Sequence, residues 1–150
     1  MMEQPKMSRS ETIRSVLAGI LYAAVFVSNL CCIIPFLVHP EDYIGSYEVC
    51  GSNGAVAAIQ GFGVAFAMWN VTYPFFIFRP RKDMTLGLII IVQQAVGLIG
   101  ELYIRHGLPQ GLTSLPSAIT RFVWFDAGGL VLLVAGFVIC FARNRKTMQR

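Results

Sequence analysis

Four apolar stretches divide the chain, and short segments rich in charged or turn-forming residues separate them. The stretches cover residues 16–38, 55–78, 84–104 and 119–142. A run of about 18 or more apolar residues is long enough to cross the hydrocarbon core of a bilayer as an α-helix. We therefore predict an all-α protein, a four-helix transmembrane bundle that forms a single membrane domain over residues 1–150.

The ends of these stretches carry signals that terminate or start helices. His39-Pro40 follows the first stretch, and proline cannot continue the helical hydrogen-bond ladder. The third stretch ends in Arg105-His106-Gly107, with cations in the last turn and then glycine. The fourth helix has an earlier possible start, with Ser114 as N-cap and Pro116 in the first turn. The first stretch exceeds the apolar region of about 7–15 residues in a cleavable signal peptide, so we expect it to be retained.

The distribution of Lys and Arg predicts the orientation of the bundle. Three lie in the N-terminal tail, three in segment 79–83 and four in the C-terminal tail, while the 39–54 loop has none. The remaining two, Arg105 and Arg121, flank the last loop. Because basic residues in short flanking segments mark the cytoplasmic side, we predict a plasma or inner membrane protein with both termini in the cytoplasm.

Composition supports a membrane setting. The chain is 55% hydrophobic and 13% charged, whereas soluble domains carry about 25% charged residues. The formal net charge is +4, but the Lys and Arg residues flank apolar spans, which indicates contact with lipid headgroups. The predicted partner is membrane lipid and not nucleic acid.

Polar side chains inside the spans are the candidate functional residues. A helical rise of about 1.5 Å per residue gives four of them similar levels in the outer third of the bilayer: Asn29, Gln60, Glu101 and Asp126. A charged side chain at the centre of a span costs about 2.5–3.5 kcal/mol, and less toward the interface, so both carboxyl groups are expected to turn inward. They either form an ion-pair clasp with Arg121 or Arg105, or belong to a ligand or proton site, or take a shallow water-exposed position.

Two further patterns lie deeper in the spans. Gln94, Gly97 and Glu101 share one face of the third helix, and the gap at Gly97 is filled either by a neighbouring helix or by a ligand. Pro74 lacks the N–H that would bond the Asn70 carbonyl, so the second helix is expected to kink there. An Asn70–Gln94 hydrogen bond would join the second and third helices, and the deep Trp69 indole N–H needs an internal partner. A ridge of small residues, Ala57, Gly61 and Ala65, is expected to be a helix-packing surface.

Cysteine and histidine give weak signals. Cys31, Cys32 and Cys50 fall on the outer side, and Cys50 is a possible disulfide partner of either of the others, but the chain has no Cys-x-x-Cys motif. His39 and His106 lie at outer helix ends without further ligands, so no metal site is predicted. The sequence likewise predicts no cofactor.

The second to fourth spans contain three distinctive segments: GFGVAFAMWNVTYP, QQAVGLIGELYI and RFVWFDAGGLVLL. These segments resemble parts of uncharacterised small bacterial membrane proteins, and in size and four-helix plan the chain is similar to the DoxX-like group. The resemblance implies a four-helix membrane bundle and assigns no functional residue.

These patterns predict a polar pocket that opens to the outer side of the bundle. Its predicted lining is Gln60, Gln94, Glu101, Arg121 and Asp126, with Asn70 beneath. The leading hypothesis is a binding or accessory protein for a small apolar or amphipathic molecule, such as a lipid or quinone. The alternatives are a membrane enzyme that uses Glu101 or Asp126 as general acid/base, and a proton-coupled transporter. Transport would require an oligomer, because four helices are few for a monomeric transport path. The expected protein partners are a second copy of the chain, in a homo-oligomer, or another membrane protein.

Overall fold

The computed structural model of the protein describes residues 8–49 and 53–141. The helices are α1 (Arg9–Val38), α2 (Asn53–Asn70), α3 (Thr72–Phe78), α4 (Met84–Gly107) and α5 (Ser114–Phe141), and a short 3-10 helix spans Pro40–Tyr43. With α2 and α3 counted as one span, four helical segments are long and apolar enough to cross a membrane. The prediction of an all-α, four-helix transmembrane bundle is confirmed.

The helix α1 begins at Arg9, well before the apolar stretch that starts at residue 16. The Ser8 hydroxyl accepts the Glu11 N–H at 3.3 Å, and the Glu11 carboxylate accepts the Ser8 N–H at 3.0 Å. This capping box satisfies backbone donors that the first turn of a helix leaves unpaired. Glu11 also pairs with Arg81 at 3.4 Å, which joins the start of α1 to the segment before α4.

At the opposite end of the bundle, the 39–49 loop is attached to the start of α5. Glu48 Oε1 accepts the N–H groups of Thr113 and Ser114 at 3.0 and 3.2 Å, and Oε2 accepts that of Leu115 at 3.3 Å. A carboxylate at this position satisfies unpaired donors of the first turn and interacts favourably with the helix dipole. These hydrogen bonds hold the pKa of Glu48 below its ordinary value, with the Thr113 N–H contributing most.

The second span is interrupted at Val71, between α2 and α3. Pro74 lies in the first turn of α3, where it cannot donate to the Asn70 carbonyl as a continuous helix would require. The Thr72 hydroxyl lies 3.0 Å from the Trp69 carbonyl oxygen and satisfies a second acceptor beside the break. The predicted distortion of the helix near Asn70 is therefore confirmed.

Helix α1 occupies the centre of the bundle. It packs against α2, α3 and α5, and α5 also packs against α4, whereas α2 and α4 do not pack closely against each other. The core around α1 is aromatic and aliphatic: Tyr22, Phe76, Ile90 and Leu133 are fully buried. The Tyr22 and Phe76 rings lie 4.2 Å apart, and the Tyr22 hydroxyl donates to the Gly87 carbonyl at 3.2 Å. The separation of α2 from α4 leaves a crevice on that side.

Close helix contact in α2 occurs at a different small residue from the predicted ridge. A Cβ on Gly63 would lie 3.0 Å from Phe36, whereas one on Gly61 would meet nothing within 4 Å. Ala57 and Ala65 are exposed, as Gly61 is. The prediction that Ala57, Gly61 and Ala65 pack against a neighbouring helix is wrong within the described residues, because α2 turns another face toward α1.

Candidate functional site

The crevice between α2 and α4, called here the α2–α4 crevice, is a cavity of about 330 Å³ whose floor is closed by α5. Its walls are mainly apolar, with Phe62, Phe66 and Trp69 from α2 and Phe122 from α5. Trp69 is 40% exposed and Phe62 46%. In a membrane-spanning segment, exposed apolar faces of this kind contact lipid. The crevice therefore lies between two candidate membrane spans, on a side whose exposed residues are apolar.

Asp126 supplies one of the two carboxyl groups that line the crevice, and its side chain has a fixed position. The residue is only 8% exposed. Gln94 Nε2 donates to Asp126 Oδ1 at 2.8 Å, and the Tyr73 hydroxyl donates to Gln94 Oε1 at 3.2 Å. This chain of hydrogen bonds links α3, α4 and α5, and it leaves Asp126 Oδ2 without a donor among the described residues.

The predicted gap at Gly97 is filled by this carboxyl group. A Cβ on Gly97 would lie 2.8 Å from Asp126 Oδ2 and 3.5 Å from the Trp69 ring. A Cβ essentially never lies this close to another heavy atom, so a larger residue at Gly97 would displace the Asp126 carboxyl group. Of the two alternatives for this gap, the structure shows the neighbouring helix, since α5 fills it with the polar side chain of Asp126.

Glu101 supplies the second carboxyl group, about 9 Å along α4 from its end at Gly107 by the helical rise. Its Oε2 atom is buried and has no hydrogen-bond partner. Within residues 8–49 and 53–141, neither Glu101 nor Asp126 forms an ion pair with a Lys or Arg. Of the three alternatives for these carboxyl groups, the ion-pair clasp with Arg121 or Arg105 is therefore not formed among the described residues.

Arg121 lies in a different depression, of about 300 Å³, with Cys32, Tyr43 and Tyr47. Arg121 and Asp126 are five positions apart on α5, which turns them about 140° from each other around the helix axis. Burial raises the pKa of Tyr47 to about 12; the Glu101 carboxyl adds to this rise and Arg121 opposes it. Tyr47 therefore stands near both groups as a neutral phenol.

Two other predicted pocket residues bond elsewhere. Asn29 Nδ2 donates to Asn70 Oδ1 at 2.8 Å, and Asn70 Nδ2 donates to the Phe66 carbonyl at 2.8 Å. The predicted Asn70–Gln94 hydrogen bond is wrong, because Asn70 faces α1. Gln60 is exposed and donates to the Leu37 carbonyl at 3.2 Å, outside the crevice.

The structure thus brings Glu101 and Asp126 together at the crevice, with Gln94 behind them, and separates Gln60, Asn70 and Arg121 from it. The aromatic wall was not predicted. Its signal is present in the sequence, because Phe62, Phe66 and Trp69 recur at the i, i+4 and i+7 spacing of one helix face. The Trp69 indole N–H donates to no described residue, so its expected internal partner is not found.

Among the described residues, no cysteine lines the crevice and no cluster of metal ligands is found. Cys31, Cys32 and Cys140 are free thiols, and none of them lines it. Cys50, the predicted disulfide partner, lies outside the described residues. Across the part of the chain that the structure describes, no three His, Cys, Asp or Glu residues cluster closely enough to hold a metal ion.

Comparison with models of protein families, with curated proteins and with solved structures finds no match to this chain. The resemblance to the DoxX-like group therefore stays a prediction.

Proposed function

We propose that this integral membrane protein binds a small amphipathic molecule, such as a lipid or quinone, that enters the α2–α4 crevice from the bilayer. The observation that carries the proposal is the combination of apolar walls with two carboxyl groups that pair with no Lys or Arg of the described residues. Ligand pockets are typically apolar cavities of roughly 300–1,000 Å³ with a few convergent polar groups. At about 330 Å³, the crevice would admit a small ligand or one end of a larger one.

The unpartnered oxygens supply a reason for a ligand to bind there. A buried acceptor without a hydrogen bond costs about 1–3 kcal/mol, and more when it is charged. Glu101 Oε2 is such a buried acceptor, and Asp126 Oδ2 accepts no hydrogen bond from the described residues. A ligand with a donor at its polar end would satisfy them, while its apolar part would replace lipid against Phe66 and Trp69.

The test uses four compounds that share a decyl chain and differ in their polar group: decanol, decylubiquinone, decanoate and decyltrimethylammonium. Each is added to the protein in dodecyl maltoside, and the melting temperature is recorded. A ligand that binds only the folded state raises it, because saturation at about 100 times Kd contributes about 2.7 kcal/mol. We expect at least one compound to raise the melting temperature by several degrees.

A pair of glycine substitutions locates the binding. Gly100→Leu fills the crevice, because Gly100 lines it and a Cβ there meets nothing within 4 Å. Gly128→Leu is the matched control, since Gly128 is also helical and open but lies outside the crevice. The shift is expected to vanish in the first variant and persist in the second. If no compound gives a shift that Gly100→Leu removes, the proposed function is wrong.

A further inference from the structure

We infer that the occupant of the α2–α4 crevice is a lipophilic organic cation, held between the carboxyl groups of Glu101 and Asp126 and the aromatic wall. This inference rests on the proposed function and narrows its ligand class. The described lining contains two acidic residues and no Lys, Arg or His. A carboxylate in a low-dielectric environment needs a proton or a cation near it. Arg121 could have supplied this cation from the chain itself, but it lies in the other depression.

The two carboxyl groups also have oxygen atoms that could face a cation. Gln94 occupies Asp126 Oδ1, while Asp126 Oδ2 and Glu101 Oε2 accept no hydrogen bond from the described residues. A lipophilic cation beside these atoms supplies the positive charge that the two acids lack, as a quaternary ammonium does, and a protonated amine adds hydrogen-bond donors. An anionic headgroup, such as a carboxylate or a phosphate, would instead face two acids without a compensating base.

The walls favour an organic cation over a metal ion. The faces of aromatic rings attract ammonium groups through their quadrupole, and tryptophan does so most strongly. Phe62 and Phe122 both pack on the fully buried Phe36, with ring centroids at 5.4 and 5.9 Å, so this part of the wall is held in place. Calcium and magnesium require about six or more oxygen ligands, and the lining contributes only two carboxyl groups.

Trp69 provides a reporter inside the crevice. The chain has two tryptophans, and Trp124 is 75% exposed and outside the lining. In a Trp124→Phe background, fluorescence therefore reports on Trp69 alone. The probes are decyltrimethylammonium, decanol and decanoate, titrated below their micelle concentrations in dodecyl maltoside. We expect decyltrimethylammonium to change the Trp69 emission with the lowest Kd of the three.

Charge-removing variants test the assigned contacts. Glu101→Gln and Asp126→Asn, each in the Trp124→Phe background, are expected to weaken decyltrimethylammonium binding by about tenfold or more. Decanol binding is expected to change little, which separates loss of charge from loss of fold. Asp126→Asn retains an acceptor for Gln94, so it serves as the second variant if Glu101→Gln does not fold. Gly100→Leu again fills the crevice and should abolish binding. Gly128→Leu is again the matched control and should leave binding unchanged.

The outcomes separate this inference from the proposed function. Crevice-dependent binding of decanol or decanoate with equal or better affinity than the cation would overturn the inference and leave the proposed function standing. Cation binding that neither acid substitution weakens would also overturn it. The four compounds are the three probes and decylubiquinone. If Gly100→Leu blocks the binding of none of them, both the inference and the proposed function are wrong.

Discussion

Gln94 on α4 donates to Asp126 on α5 with only 2.8 Å between Nε2 and Oδ1, inside a membrane-spanning part of the bundle. The contact fixes the amide orientation, because the Oε1 atom of Gln94 must then accept from Tyr73. It also determines which oxygen of Asp126 remains available, since Oδ1 is occupied and Oδ2 lies against Gly97. A structural hydrogen bond between helices therefore prepares the polar side of the crevice.

Replacement of Gln94 is expected to destabilise the bundle more than replacement of Tyr73. Gln94→Leu keeps a similar volume but leaves the Asp126 carboxyl and the Tyr73 hydroxyl unpaired, at about 1–3 kcal/mol for each buried group. Tyr73→Phe removes one partner and should cost less. The measurement is the free energy of unfolding in detergent for both single variants and the double variant. Equal small losses would show that the chain of hydrogen bonds is not formed.

Gly97→Ala is expected to lower stability although most Gly-to-Ala changes in a helix raise it. In an open helical position the change stabilises by about 0.5–1 kcal/mol, and Gly128→Ala should do so because nothing lies within 4 Å of its Cβ position. At Gly97 the new methyl group would lie 2.8 Å from Asp126 Oδ2, which must move. We expect a loss of about 1–3 kcal/mol; a gain equal to that at Gly128 would contradict the geometry.

The features that the sequence predicts well depend on local chemistry. Span lengths follow from apolar runs, and the interruption at Val71 follows from the missing N–H of Pro74. The sequence also predicts the gap at Gly97, since this gap depends only on the face that Gln94, Gly97 and Glu101 share. These inferences need no knowledge of how the helices are rotated against each other.

Helix rotation explains the features that the sequence does not predict. The rise per residue gives the depth of Glu101 and Arg121, but their separation depends on which face α5 turns toward α4. In the same way, Asn70 faces Asn29 on α1 and not Gln94 on α4. The choice of Gly63 over Gly61 as the packing residue of α2 has this origin too, because a helix rich in small residues offers several faces for close contact.

Acid is expected to loosen the contact between the 39–49 loop and α5. Folding lowers the pKa of Glu48 below its ordinary value of 4.5, so the folded state favours the carboxylate. The stabilisation is fully present above that value and is lost as the pH falls through the lower, folded pKa. Melting temperature measured from neutral to acidic pH should therefore fall less steeply in Glu48→Gln, which already lacks the carboxylate at neutral pH.

Asp42→Asn is the control for this measurement. Asp42 is exposed on the same loop, and its side chain makes no hydrogen bond to α5. The variant should keep the acid dependence of the wild type. An Asp42→Asn profile that matches Glu48→Gln would assign the effect to the overall charge of the loop.

The orientation predicted from basic residues is tested by cysteine labelling in a variant that lacks the native cysteines. Asp42→Cys and Lys82→Cys place single thiols in segments at opposite ends of the bundle. A membrane-impermeant maleimide is expected to label Asp42→Cys in intact cells and Lys82→Cys only after permeabilisation, because basic segments remain in the cytoplasm. The reverse pattern would place both termini outside.

Without added ligand, Glu101→Gln is expected to leave the stability of the protein unchanged or to raise it. If Glu101 formed an ion pair, its loss would leave a buried cation unpaired and cost about 3–5 kcal/mol. No described Lys or Arg pairs with it, and its Oε2 atom is buried without a partner. An amide of the same shape carries no charge and has N–H groups that can donate to Asp126 or to detergent. The melting temperature in dodecyl maltoside, without added ligand, should therefore not fall.

Arg121→Gln is the companion variant, and the absence of coupling between the two substitutions in a double-mutant cycle would confirm that Glu101 and Arg121 act separately. A loss of several kcal/mol in Glu101→Gln, coupled to Arg121, would restore the clasp and remove the free acid on which the cation inference depends.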